Sequence, residues 1–364
     1  MQIKKISEII DISDDLINSF EKESVNFTNI VKSEILSTPK LYELIGNNSI
    51  KFLEDIIYNY IKVLATALKF DSVYILIKGL SRLYRFSQKK GIQDKLFTIL
   101  HIASENSITS NIQKYKKDFK TFYGWLMQNF NFILSSIDSS QEQYKYFENN
   151  IEFITNIEFI TNFISKLFEN DLIKAEVLIN SYLSDDLRRE KFYNYILYPS
   201  LEIMKKLYER DIFDETETKL AFSVFNRILS SIYREKDTKN KKEIYSLYLQ
   251  EEDILDSKIL NLYNEMKAQI FSDFLSFEGF KSFCLNAKET AKFNLNNQED
   301  ALIIFGLSPY NFPQFIQTWE MIKAKAPKIG IFISDENWED FYRINKYGEL
   351  FSYPKEVLEF LEND

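Results

Sequence analysis

Glu243-Ile244-Tyr245-Ser246-Leu247-Tyr248-Leu249 alternates along its length and is rich in β-forming residues, so it reads as a strand. Farther on, Ala301-Leu302-Ile303-Ile304-Phe305 is apolar without a break, as expected of a strand covered on both faces. Between them, Leu255, Ile259, Tyr263 and Met266 recur at intervals of four, four and three, which is helical spacing. Ile270 to Leu275 reads as a second strand and Phe280 to Phe293 as a second helix. After the turn Gly306-Leu307-Ser308-Pro309, a helix carries Phe312, Phe315, Ile316, Trp319 and Ile322 on one side, and Ile329 to Ile333 is another buried strand. Strands and helices in alternation make a parallel, doubly wound sheet, with any ligand at the carboxyl ends of its strands.

Composition sets the wider frame. The 364 residues suffice for two or three domains. Aromatic residues make up 16% of the chain, while there are only 8 Gly and 6 Pro, so a mostly helical protein with short connections is expected. A formal charge of −9 and the lack of a basic stripe argue against direct nucleic-acid binding. The single cysteine, Cys284, excludes an internal disulfide and any multi-thiolate metal site, and fits a reducing compartment. Met1-Gln2-Ile3-Lys4-Lys5 lacks a signal-peptide core, and no apolar run approaches the roughly 20 residues of a membrane span. The expectation is a cytoplasmic protein that does not enter the membrane.

Residues 1–150 read as helices packed on helices. Ile50, Leu53, Ile57, Tyr60, Ile61 and Leu64 form one stripe. Asp71 is placed as N-cap of a second helix that ends near Gly91, a third covers Asp94 to Ser104, and a fourth runs from Tyr115 to Ile137. His101, the sole histidine, is read as a packed or surface side chain rather than a functional one. Residues 151–162 repeat Ile-Glu-Phe-Ile-Thr-Asn twice. A six-residue shift turns a helix by about 600°, so the copies cannot share a face, and the repeat is taken as slippage rather than a motif. Residues 151–236 then read as four helices. Glu169-Asn170-Asp171 forms a turn, Asp185 or Asp186 caps the third helix, Pro199 kinks it, and Asp214 caps the fourth. The charged run 234–242 is the domain linker, and 241–364 holds the sheet domain. The fold class is therefore mainly α with a C-terminal α/β domain.

A four-helix cap, a polar linker and a five-stranded Rossmann-like sheet in this order resemble the cobalamin-binding modules of methionine synthase and of light-responsive bacterial regulators. The similarity covers roughly residues 160–362. Its most specific pieces are Ile196-Leu197-Tyr198-Pro199-Ser200-Leu201-Glu202-Ile203-Met204 in the cap and Leu307-Ser308-Pro309-Tyr310-Asn311-Phe312-Pro313 after the third strand. The ligand positions depart from the family pattern. Where the resemblance implies an acid, a cobalt-ligating histidine and a glycine, this chain has Glu251, Asp253 and Asp256. Ser334 and Asp335 replace a glycine pair that admits the cofactor's nucleotide tail, and the cap positions of a tryptophan and a Glu-His pair hold Leu207, Glu217 and Thr218. Ser308 and Tyr310 complete the degenerate set. A carboxylate is a poor substitute for imidazole on cobalt, so no cofactor is expected, with cobalamin or another tetrapyrrole the lesser alternative.

Other chemistries of the acidic turn are weaker. A phosphoacceptor receiver needs an aspartate at the end of the third strand, where Gly306 and Leu307 stand. A divalent-cation site at Glu251, Asp253 and Asp335 stays open, beside the plainer reading of a solvated loop with an N-cap at Asp256. Cys284, in the second helix of the sheet domain, could anchor a linear tetrapyrrole, though a small buried cysteine is the ordinary reading. No phosphate loop, zinc histidine pair or nucleophile with a base is present. The expected function is a non-catalytic sensory or regulatory protein, in signalling or transcription regulation, that acts through a protein partner. The alternative is a ligand-free interaction scaffold. Self-association as a homo-oligomer is compatible with both.

Overall fold

The computed structural model describes residues 5–135, 151–183, 191–232, 242–251, 257–288, 300–308, 310–323, 328–333, 344–351 and 354–362. The chain divides into two compact units, one formed by 1–141, 308–312 and 337–346, the other by the remainder. No helix among the described residues is long and apolar enough to cross a membrane.

The first unit is helical. It contains α1 (Asp14–Leu36), α2 (Leu41–Ile45), α3 (Ile50–Phe70), α4 (Val73–Lys89), α5 (Asp94–Asn111), α6 (Lys116–Gln128) and α7 (Phe130–Ser135). Ser49 caps α3 by accepting from the Phe52 N–H, and Ser72 caps α4 by accepting from the Ile75 N–H. Asp71 is thus not the N-cap of α4. It closes α3 in the left-handed region (φ 55°), and its carboxylate accepts both the N–H and the hydroxyl of Ser7, each at 2.6 Å. The third helix continues past Ser104 to Asn111, and the expected fourth helix is broken at Asn129 into α6 and α7. At Gly79 of α4 an added Cβ would stand 2.5 Å from a Val63 methyl of α3, so the close approach of these two helices requires glycine.

His101 lies at the centre of this core, with no exposed surface. The Tyr60 hydroxyl donates to its Nδ1 at 2.7 Å, and its Nε2–H points to the Tyr123 carbonyl at 3.4 Å. The rings of Tyr60 and Tyr123 meet the imidazole edge-on. The histidine is a packed, neutral core residue, not a surface one.

The second unit holds the cap helices and the sheet. The cap comprises α8 (Ile151–Phe168), α9 (Leu172–Tyr182), a π-turn (Tyr193–Leu197) leading into α10 (Tyr198–Glu209), and α11 (Glu215–Ile232). The repeated hexapeptide falls inside α8. Asn170 takes a left-handed φ of 56° and Asp171 caps α9, which makes the expected turn. The π-turn sits directly before Pro199, whose missing N–H and ring bulk disturb the helical ladder there. Asp214 caps α11 through a reciprocal pair with Glu217. Asp185, Asp186 and 233–241 lie outside the described residues.

The sheet is parallel throughout, with order β2-β1-β3-β4-β5. Its strands are β1 (Glu243–Tyr248), β2 (Lys281–Asn286), β3 (Ala301–Phe305), β4 (Lys328–Phe332) and β5 (Glu349–Phe351). The helices are α12 (Ser257–Phe277), α13 (Phe312–Ile322) and α14 (Pro354–Glu362). This is the doubly wound architecture expected, with two elements exchanged. Ile270 to Leu275 is not a strand, because Ile259, Tyr263, Met266, Ile270, Phe274 and Phe277 continue one helical stripe through α12. Gly279 ends the helix at φ 95°, the Phe280 N–H closing on the Leu275 carbonyl, and β2 begins at Lys281. Cys284 therefore sits in a strand and not in the expected helix. Cap and sheet share one continuous core, in which Phe271 packs on Phe305 and Phe332 at 5.2 and 5.8 Å between ring centres.

Burial holds the His101 imidazole neutral, lowering its pKa from 6.5 to about 4. The unfolded chain therefore binds a proton between these values that the folded chain refuses, and stability falls as pH is lowered from 6.5 to 4. At about 1.4 kcal/mol per pH unit the loss is roughly 3 kcal/mol. Urea unfolding of the native chain and of His101→Gln at pH 7 and pH 4 should show this excess acid sensitivity only in the native chain.

Candidate functional site

In a sheet of this order the ligand crevice lies where the chain reverses direction, between the carboxyl ends of β1 and β3. Here α12 fills it. The Leu249 N–H donates to the Phe305 carbonyl at 3.0 Å, prolonging the strand pair by one residue. Asn264 reaches from α12 to donate to the Leu249 carbonyl at 3.3 Å. Asn261 brackets Glu251, accepting from its N–H at 2.7 Å and donating to its carbonyl at 2.9 Å. Gly306, at φ 79°, has Asn264 so close that a Cβ there would fall 2.4 Å from the amide nitrogen. The two asparagines thus satisfy the backbone groups that a ligand at the strand ends would otherwise meet.

The described residues among the positions singled out by the resemblance each take part in local contacts. Glu251 is buried at the end of β1. Ser308 donates its N–H to the Asn311 side chain (2.9 Å) and accepts from the Tyr310 N–H (3.2 Å), forming a self-contained turn. Tyr310 is buried, with its hydroxyl donating to the Gly79 carbonyl at 2.5 Å and the Arg82 guanidinium 4.9 Å from its ring centre. Leu207 packs against the cap core, Glu217 serves the α11 cap, and the Thr218 hydroxyl is buried with no hydrogen-bond partner among the described residues. Asp253, Asp256, Ser334 and Asp335 lie outside the described residues. Among those described, no three His, Cys, Asp or Glu side chains converge to hold a metal ion. Burial, with the carboxylates of Glu265 and Asp273 adding to it, pushes the Cys284 thiol up to about 12. The thiolate needed for covalent attachment is therefore suppressed at neutral pH.

The most concentrated polar chemistry lies elsewhere, between α10 and α12. Tyr263 and Lys267 are one helical turn apart on α12 and both reach Glu202 of α10. Lys267 donates to the Glu202 carboxylate at 2.8 Å and to the Tyr263 hydroxyl at 3.1 Å, and Tyr263 donates to the same carboxylate. The Lys267 side chain is 3% exposed and that of Glu202 9%. Three rings surround the ammonium, those of Phe332, Tyr198 and Tyr263, with centres at 4.8, 4.9 and 5.4 Å. Burial works to raise the Glu202 pKa, but Lys267 and Lys205 outweigh it and hold the carboxyl below its ordinary value. A cavity of about 10 Å³ adjoins Lys267, lined also by Tyr193, Tyr198, Phe271, Phe305 and Phe332. That is space for about one water molecule.

This cluster joins a charged pair and a tyrosine in mutual hydrogen bonds. What it can do is lock the cap to α12 in one register. It was not found by sequence reasoning because its members are 61 and 65 positions apart and match no motif. One signal was available. Lys267 stands one turn from Tyr263 and Phe271, on the stripe of Tyr263, Met266, Ile270 and Phe274 that marks the buried side of the helix.

No protein-family model matches the chain, and no curated protein matches it.

Removing one member of a buried ion pair strands the other, at a cost of roughly 3–5 kcal/mol, whereas replacing both with apolar residues is close to neutral. Glu202→Leu and Lys267→Met should each destabilise the second unit by about that amount, and the double variant should recover most of the loss. Denaturant unfolding of the four proteins checks the cycle. Single variants costing under about 1 kcal/mol would rule out the lock.

Proposed function

We propose that this chain is a non-catalytic regulatory protein on a cobalamin-module type of scaffold, whose ligand cleft has closed and which works through contacts with a protein partner. The observation that carries the reading is the continuous core between cap and sheet, with α12 packed on both. A corrin ring is far larger than the one-water space beside Lys267, so admitting one there would require parting the cap from α12. That separation would expose the Phe271, Phe305 and Phe332 cluster and break the Glu202–Lys267 pair. Asn261 and Asn264 occupy the strand ends as well, so the packing favours the ligand-free form of the reading over a sensor with an open cleft.

Hydroxo-, methyl- and adenosylcobalamin should each fail to bind at micromolar concentration, as followed by absorption titration and gel filtration. Stoichiometric co-elution of a corrinoid would overturn the closed cleft. Asp253→His alone should not restore binding, since the added imidazole leaves Asn264 and the cap in place.

A further inference from the structure

We propose that the outer edge of β2 is a docking edge for an extended segment of a partner protein, added to the sheet as a sixth strand. The proposal deepens the reading above and rests on its premise that the chain works through protein contacts. The Lys281 N–H donates to the Lys242 carbonyl at 3.3 Å, and Lys281 lies opposite Glu243. In a parallel pair each bonded residue turns both backbone groups to its neighbour and the next turns both away. Lys281, Phe283 and Leu285 therefore serve β1, while the N–H and C=O of Ser282, Cys284 and Asn286 face outward. Among the described residues those outward groups meet no partner.

The two edges of the sheet differ in how they are protected. Sheets blunt an edge with short strands, charges, prolines or bulges. β5 has three residues and opens with Glu349. β2 has six, with no proline, and its single charge, Lys281, is at the start and paired with Glu243. Strand addition supplies the missing hydrogen bonds, and side chains at alternate positions select the partner. On one face the added strand would lie beside Leu285 and Phe283, whose ring stacks on Tyr245 at 5.2 Å, which calls for apolar residues at every second position. Exposed Lys288 follows the far end of β2, and the strand itself carries no carboxylate, which calls for an acidic residue there. A second copy of this chain fits less well. Antiparallel self-pairing about Cys284 would set each Lys281 opposite Ala287 of the other copy, with no opposite charge to meet it, between molecules that each carry a charge of −9.

The test uses the full chain and a synthetic peptide that alternates valine and threonine and ends in aspartate on both sides. Amide exchange is followed residue by residue by NMR. Saturating peptide should slow exchange about tenfold or more at Ser282, Cys284 and Asn286, and leave Phe283 and Leu285 unchanged. Cys284→Pro removes the central outward N–H and should abolish the effect. Lys288→Glu should weaken peptide binding about threefold or more, and it carries the test if the proline variant does not fold. No slowing at millimolar peptide would overturn the proposal, as would binding indifferent to Lys288→Glu. Protection of the same amides without peptide, with a Cys284–Cys284 disulfide dimer on oxidation, would assign the edge to a second copy instead. Corrinoid binding with an intact edge would sink only the closed cleft, and an inert edge without corrinoid binding would sink only the docking edge.

Discussion

A 21-residue helix enclosed between a sheet and a layer of helices must have every polar group it carries matched, because water is not at hand to do it. α12 meets this condition group by group. Asn261 and Asn264 go to the end of β1, Tyr263 and Lys267 to Glu202 of the cap, and Ser272 to the Ser282 hydroxyl of β2 at 2.9 Å. Asp273 is the costly exception. Among the described residues its carboxylate receives only the Gln269 amide, at 2.6 Å, and burial raises its pKa to about 7. The helix is thus matched toward the strand ends and the cap, and a second ligand for the same groups would have to compete with contacts already made.

The cap's apolar surface is committed in the same way. Tyr198, Glu202 and Lys205 of α10 all face the α12 cluster, so this helix forms one wall of the shared core. In the first unit the same rule holds on a smaller scale. Tyr60 and the Tyr123 carbonyl take up both ring nitrogens of His101, leaving a polar residue at the middle of an aromatic core without an unmet bond.

Much of the fold was legible, and the misreadings share a cause. Ala301–Phe305 and Lys328–Phe332 were found because strands covered on both faces are uniformly apolar. α12 is covered on both sides too, so its second half loses the amphipathic signature and imitates a strand. Half-exposed β2, with Lys281, Ser282 and Asn286, lacks the apolar run of its neighbours and passes for helix. Asp71 and Ser72 are adjacent good caps, and only the fold decides that one closes α3 while the other opens α4. The site was less legible than the fold. Family positions could be aligned by resemblance, but their occupation by Asn264 or by the Gly79 carbonyl depends on contacts distant in sequence.

The shared core of cap and sheet also bears on how the protein is made. Synthesis runs from the amino end at roughly 5–20 residues per second. The cap's Tyr193, whose ring meets Phe274 and Phe277 of α12, is complete before any of α12 has left the ribosome. β1 likewise waits for β3, its partner on one side, until after α12 and β2 have been made. For several seconds the nascent chain holds an aromatic surface whose cover has not yet been translated. A gene truncated before Ser257 would encode a cap without the helix that closes its core.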